Sequence, residues 1–424
     1  MNKKKMQAHW VILPSSTFYD RVDEACAILY NTDNGLFMVS TNKSFIRLID
    51  RLREPKNMGS VAFDDKEIAD FSSDFSEALN ICVLKTVRTE DNTKPLILLP
   101  ILNLQRDLDK GKNIDDRLFI MEKKLRFLTG VNIWMSSSTY DNSDKKKVAY
   151  RNSYYKDVCS PVYDNQPLKD MVESGLLIKI LDELRLSGVA RVNLIIGSSF
   201  LAQTSPDKFA HILNKYPFSF TISCFYEDYA AIESHLKGVV INNLDYRVYL
   251  DKYNLYDGNV VFKELYSDKA SFLYLVSDES EIENQGIENL ELIPIWVTDN
   301  IDFFERNVML TIEDLQNTVL SHQKIFRNMK LNANFFGVLD IDYSGKISPH
   351  GSESVLGNLK DGCTLLQAVC KEFKENHAWR LTRNLTSCCS CPFKYICPPI
   401  SVYELRGNLT SVCKIRKSLE NGKK

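Results

Sequence analysis

Seven of the chain's eleven cysteines lie at or beyond position 363: Cys363, Cys370, Cys388, Cys389, Cys391, Cys397 and Cys413. The other four, Cys26, Cys82, Cys159 and Cys224, are scattered and read as ordinary small buried hydrophobes. What the crowd means depends on the compartment. Met1 to Met6 is basic, but the apolar stretch after it, Trp10 to Leu13, is too short for a signal peptide. The longest uncharged apolar run, Leu96 to Leu102, is far short of the ~20 residues a membrane helix needs. A cytoplasmic protein is expected, and in a reducing compartment clustered cysteines mean metal or catalysis more often than disulfides. The sharpest group is Cys388-Cys389-Ser390-Cys391, followed by Cys397 and completed by Cys413. The C-x2-C step lets Cys388 and Cys391 converge on one metal from a tight turn, and Cys397 and Cys413 can supply the remaining corners. Pro392, Pro398 and Pro399 stiffen the loop, so ordering the ligands loses less entropy. Cys389 reads as a bystander. Spacing alone leaves an iron–sulfur centre and a zinc site both open.

At 424 residues the chain is long enough for two or three domains. Hydrophobic content of 44% with 25% charged residues is that of a globular protein. A balance of 53 Lys and Arg against 55 Asp and Glu argues against a nucleic-acid binder, whose affinity comes from neutralised phosphates. Residues 1–88 read as a small α+β unit. Ala27–Tyr30 and Leu36–Val39 flank an Asn34-Gly35 pair that tolerates the positive φ of a type I′ hairpin turn. Helical spacing follows over 42–53 and 65–80, which together fit a winged-helix-like module. In 89–332 apolar strands alternate with helix-length segments. Strands are expected at 131–135, 191–196, 218–223, 246–250, 272–276 and 290–297. Helices are expected at 168–186 (with Gly188 as its C-cap), 206–215, 226–235, after Asp278, and as one long element over 311–329. Six such strands predict an α/β architecture, either a partial barrel or a doubly wound sheet. Residues 333–424 open with a hairpin over 336–348 and then carry the cysteines.

The run Asp342 to His350, then Leu356 to Asp361, then C-x2-C-x5-C resembles a SPASM domain over roughly 336–415. That is the Cys-rich auxiliary-cluster extension of peptide-modifying radical SAM enzymes. The resemblance implies that Cys388, Cys391, Cys397 and Cys413 hold one auxiliary [4Fe-4S] cluster. It also implies that the six strands are a (β/α)6 partial barrel of radical SAM type. The departures carry as much information. Ser401 and His350 stand where the family has cysteines, and Cys363 falls one residue late after Gly357, so a second auxiliary cluster is lost. Whether His350 or Cys363 contributes a ligand stays open. Radical SAM chemistry requires C-x3-C-x2-C just after the first strand. Here the chain runs Ser136 to Lys147 without a cysteine, and the next is Cys159. The glycine-rich turn after the second strand is Gly197-Ser198-Ser199-Phe200.

The chain is therefore similar to the pseudo-radical-SAM/SPASM proteins of ribosomal-peptide maturation. These keep the scaffold, lose the catalytic cluster and bind no S-adenosylmethionine. The hairpin at Tyr30 to Gly35 with its following helices resembles a peptide-binding RiPP recognition element, so the implied partners are a precursor peptide and an active radical SAM/SPASM enzyme. No catalytic residue is expected. Two alternatives stand beside this: a zinc-stapled interaction scaffold, and an enzyme whose barrel mouth has been refitted around Tyr140, Asp141 and Asp144.

Overall fold

A computed structural model describes residues 8–63, 69–89, 93–99, 125–135, 175–197, 200, 204–256, 269–283, 290–297, 300–406 and 413–421. The N-terminal part holds six short strands: β1 (Ala8–Ile12), β2 (Thr17–Arg21), β3 (Ala27–Asn31), β4 (Phe37–Ser40), β5 (Ser60–Ala62) and β6 (Lys85–Thr89). They form two antiparallel sheets, ordered β5-β1-β6 and β2-β3-β4. Helix α1 (Lys43–Arg53) begins where Asn42 accepts the Ser44 and Phe45 N–H groups, and it buries Phe45, Ile46, Leu48, Ile49 and Leu52. Helix α2 is Ser72–Asn80.

Asn34 and Gly35 do lie between β3 and β4, but in a longer loop than a two-residue turn. The Asn31 and Asn34 side chains accept the N–H groups of Asp33 and Leu36, each at 2.9 Å. These two local turns lengthen the connection, and within it only Gly35 takes a positive φ, +80°. The sheet β2-β3-β4 has apolar side chains on both faces, as alternation allows. Tyr19, Leu29 and Met38 pack with α1 and α2. Phe18, Ile28 and Tyr30 face the other way, into a cluster with Phe326, Phe393, Tyr395 and Ile396 of the C-terminal region.

The main sheet contains β7 (Gly130–Trp134), β8 (Arg191–Ile195), β9 (Ser219–Phe225), β10 (Leu244–Leu250), β11 (Ala270–Val276) and β12 (Glu291–Pro294). Between them come α3 (Leu176–Leu184), α4 (Pro206–Asn214), α5 (Tyr226–Leu236), α6 (Lys252–Tyr256) and α7 (Glu279–Glu283). The strands are parallel and strictly sequential. That order decides between the two architectures open from sequence. A doubly wound sheet reverses direction at a switch point, whereas here each strand adds at the same edge, so right-handed crossovers place the helices on one face. Side-chain alternation agrees. Ile133, Leu194, Ile222, Val248 and Tyr274 share a core with Leu177, Ile180, Phe209 and Ile232 of those helices. Their neighbours Trp134, Ile195, Phe225, Tyr249, Leu273 and Leu275 form a separate cluster on the opposite face. The molecule is thus a mixed α/β protein built on a large, mainly parallel sheet.

That sheet continues past β7. Strand β13 (Val338–Ile341) pairs in parallel with it, Val338 opposite Gly130, and β14 (Lys346–Pro349) and β15 (Gly357–Asn358) follow antiparallel. Helices α8 (Ile301–Asn307), α9 (Ile312–Gln316), α10 (His322–Lys330), α11 (Leu365–Glu375), α12 (Val402–Arg406) and α13 (Lys414–Asn421) complete the described α-helices. Among the described residues, no helix is long and apolar enough to cross a membrane.

Three sequence expectations are corrected. The helix expected over 311–329 is two helices, α9 and α10, the first opened by a capping box of Thr311 and Asp314 and the second by Ser321. The break between them receives Tyr30, whose hydroxyl donates to the Thr318 carbonyl at 3.0 Å and accepts the Leu320 N–H at 2.8 Å. Gly188 does not cap α3, whose C-cap is Arg185; a Cβ on Gly188 would stand 2.7 Å from the Arg126 carbonyl oxygen, so close chain approach explains it. Of the scattered cysteines, Cys224 is buried, but Cys26 is half-buried and Cys82 exposed, while Cys159 lies outside the described residues.

The junction between the N-terminal sheet and α10 contains His322, its Nδ1 3.1 Å from Thr32 Oγ1. Burial lowers its pKa from 6.5, against the pull of the Thr17 backbone and Asp33. The unfolded chain therefore takes up a proton here before the folded one does as pH falls. Stability should fall as pH drops below 6.5, and His322→Gln should flatten that slope in equilibrium urea unfolding followed across the range.

Candidate metal centre

The cysteine segment has little regular structure and is built from successive turns. The Cys391 N–H bonds to the Cys388 carbonyl at 2.9 Å, and the Ile396 and Cys397 N–H groups bond to Phe393 at 2.9 and 2.8 Å. Three asparagines hold the carbonyls that these turns leave over. Asn328 on α10 donates to Tyr395 and Cys397 (3.2 and 3.4 Å), buried Asn332 to Leu381 and Ile400 (3.2 and 3.0 Å), and Asn334 to Pro399 and Ile400 (3.3 and 3.1 Å). Prolines supply no N–H, so side-chain amides serve as the donors.

This folding draws the four candidate ligands into one neighbourhood. Cys388, Cys397 and Cys413 line a cavity of about 160 Å³ together with Arg383, Pro398 and Tyr403. Cys391, Cys397 and Cys413 border the apolar cluster beneath it. Cys397 is only half-buried by area, yet protein atoms crowd it densely. Burial pushes its thiol far above the ordinary value, and Cys391, Cys413 and Cys388 push it further, against the pull of Arg383. Burial also raises the Cys391 thiol, with the Phe393 N–H opposing and Cys388 and Cys413 adding to it. Thiols so placed hold their protons until a cation takes their place, since a coordinating thiol is deprotonated outright. The donor set thus suits a thiophilic metal centre. Among the described residues, however, no group of three or more His, Cys, Asp and Glu side chains is already gathered closely enough to hold a metal ion.

Residue types outside that set complete the surroundings. Arg383 makes a two-pronged ion pair with Glu404, at 2.9 and 3.2 Å, and its Nη1 lies 3.9 Å from Cys388 Sγ. Burial works against the Arg383 charge, but Glu404 and the Cys397 and Cys388 sulfurs more than offset it, and the guanidinium stays protonated. Ser401 accepts the Glu404 N–H at 3.3 Å and donates its own N–H to Glu404 at 2.9 Å, capping α12. That Ser-x-x-Glu signature was readable in the sequence, whereas nothing in it singled out Arg383. His350 lies elsewhere, its Nδ1 3.1 Å from both Asp340 carboxylate oxygens. Cys363 is also apart: burial raises its thiol, and its charged neighbours are Glu183, Lys371 and Lys179. Cys389 is exposed. Tyr140, Asp141, Asp144 and the cysteine-free stretch after Met135 lie outside the described residues.

No protein-family model matches the chain, and no curated protein matches it in sequence. Among solved structures, the crystal structure of BtrN in complex with AdoMet and 2-DOIA aligns with a TM-score of 0.31 and 13% sequence identity, covering 62% of this chain and 92% of that chain. A likeness this slight carries no argument about the site.

Replacing buried Asn332 by alanine should orphan the Leu381 carbonyl and leave the Ile400 carbonyl to Asn334 alone, at about 1–3 kcal/mol. Chemical denaturation should show a smaller loss for Asn334→Ala, since Asn334 is exposed and solvent can replace its amide.

Proposed function

We propose that this protein is a non-catalytic pseudo-radical-SAM/SPASM protein of peptide maturation, holding one auxiliary [4Fe-4S] cluster on Cys388, Cys391, Cys397 and Cys413. It binds a precursor peptide, partners an active radical SAM enzyme, or does both. The observation that carries this is a cavity lined by Cys388, Cys397 and Cys413, with Cys391 beside them on the apolar cluster, in a chain whose first barrel strand is followed by no C-x3-C-x2-C. When bound, such a cluster supplies one-electron chemistry or a fixed cross-link, its irons all closed by thiolates. The protein's own residues do the rest. Asn328, Asn332 and Asn334 fix the loop that presents the thiols. Phe393, Tyr395 and Ile396 carry its far side into the N-terminal sheet. That sheet ends at β4 among the described strands, an edge to which an extended peptide can add as a further strand.

The barrel face supports a scaffold role. Parallel sheets take their ligands at the carboxyl ends of the strands. There the helix-free face is filled by Trp134, Ile195, Phe225, Tyr249, Leu275 and Ile295, all buried. Among the described residues these strand ends present mainly apolar side chains, which favours a scaffold over an S-adenosylmethionine site.

Anaerobically purified protein should contain about four iron and four acid-labile sulfide per chain, both lost in Cys391→Ala. One zinc without iron would instead establish the zinc-stapled scaffold. Incubation with S-adenosylmethionine and a low-potential reductant should leave it intact; cleavage by the isolated protein would sink the non-catalytic assignment.

A further inference from the structure

Arg383 is fixed from three sides. Its Nε donates to the Pro398 carbonyl at 2.7 Å, and Nη1 and Nη2 donate to Glu404 at 2.9 and 3.2 Å. Glu404 is itself held by the Ser401 N–H and hydroxyl, at 2.9 and 3.0 Å. Side-chain exposure is only 12% for Arg383 and 17% for Glu404, so neither head can swing into water. The Pro398 and Glu404 bonds use three of the five guanidinium N–H groups. The second N–H of Nη1 is turned toward Cys388 Sγ, at 3.9 Å.

We propose that Arg383 is a positioning residue of the cysteine centre: its guanidinium donates an N–H to the Cys388 thiolate and raises the reduction potential of the cluster held there, while Glu404 sets the size of that effect. This rests on the cluster assignment above. Hydrogen bonds to sulfur and nearby charge are among the levers that set cluster potentials. A reduced cluster carries one more negative charge, so a fixed cation and an N–H···S bond stabilise it relative to the oxidised form. The effect is strong because the pair is shielded from water, where charges interact over a lower effective dielectric. Glu404 opposes it, since its carboxylate draws on the same guanidinium. The two residues should therefore act on the centre with opposite sign, which a simple clamp would not do.

The test uses the full chain, loaded anaerobically, with iron and sulfide counted and a redox titration followed by visible absorption and paramagnetic resonance. Wild type is compared with Arg383→Gln, Arg383→Lys and Glu404→Gln. Arg383→Gln should lower the reduced-to-oxidised ratio at the wild-type midpoint at least tenfold, about 59 mV for a one-electron couple. Glu404→Gln should shift the midpoint upward, and Arg383→Lys should fall between Arg383→Gln and wild type. Unchanged midpoints, or shifts of the same sign, in variants that keep their iron would overturn the role of Arg383 while leaving the cluster in place. Should Arg383→Gln lose its iron, Arg383→Lys decides. Iron retained at a lowered midpoint supports the proposal, and loss of iron there too shows a clamp and overturns it. A wild-type protein with zinc or no metal overturns the cluster assignment itself, which is a separate failure.

Discussion

The short run between Cys391 and Cys397 has to satisfy two neighbours at once, and most of the molecule is arranged around that requirement. Its flanking cysteines belong to the candidate metal centre, while Phe393, Lys394, Tyr395 and Ile396 are all buried. Phe393 meets Phe37 edge-on at 5.0 Å between ring centres. Lys394 Nζ lies 3.1 Å from Asp20 on β2 and 5.1 Å from the centre of the Tyr395 ring. Asp20 Oδ2 has no well-aligned hydrogen bond despite that distance, so the pair is held by charge more than by bond geometry. A buried ion pair of this kind adds little net stability, because desolvation offsets most of the attraction. What it does enforce is register. A wrong docking of the N-terminal sheet would leave a lysine buried without its counter-charge, which costs far more.

Because the loop is pinned on both sides, its order and that of the N-terminal sheet are linked. Tyr30 extends the link by filling the break between α9 and α10, and α10 carries Asn328, which holds the Tyr395 and Cys397 carbonyls. The C-terminal region is tied just as closely to the main sheet. Thr129 and Gly130 both donate N–H groups to the Gly337 carbonyl, at 2.7 and 3.0 Å, where β13 joins β7. The Trp379 indole donates to the Val338 carbonyl at 3.0 Å, and the Asn332 N–H donates to Trp379 in turn. A metal bound at the four cysteines would thus brace a loop on which both other regions rest.

Much of this was legible in the sequence where a local rule suffices. Buried parallel strands show as near-continuous apolar runs, and each of the six expected strands has its counterpart in β7 to β12. Asn42 and Ser205 sit where helix starts were expected. The failures share a different cause. The break at 317–321 exists to receive Tyr30 from nearly three hundred residues away, and a helical period carries no trace of a distant phenol. Strands β1 and β2 escaped notice because short mixed segments become strands only when a partner pairs with them. At the candidate centre, cysteine spacing pointed to the four sulfurs. Arg383 and the three asparagines were invisible, since their roles depend on carbonyls and sulfurs brought near by folding.

The helix-free face of the main sheet gives the last step. Next to its apolar plug runs a lateral chain of polar side chains, one strand after another. Ser223 on β9 donates to Asn193 on β8 at 2.7 Å, Asn193 to Asn132 on β7 at 3.0 Å, and Asn132 to Asp340 on β13 at 2.7 Å. Asp340 then meets His350, so that histidine is engaged at the end of the ladder. Each amide uses its oxygen toward one neighbour and its nitrogen toward the other, so the chain satisfies buried polar groups without needing a ligand. Such a ladder fixes the register of β13 against the parallel strands, and with it the hairpin that leads to the cysteines. The inner face is thereby committed to holding itself together, by apolar packing near the strand ends and by hydrogen bonds beside it. That face therefore locks the C-terminal hairpin onto the parallel sheet.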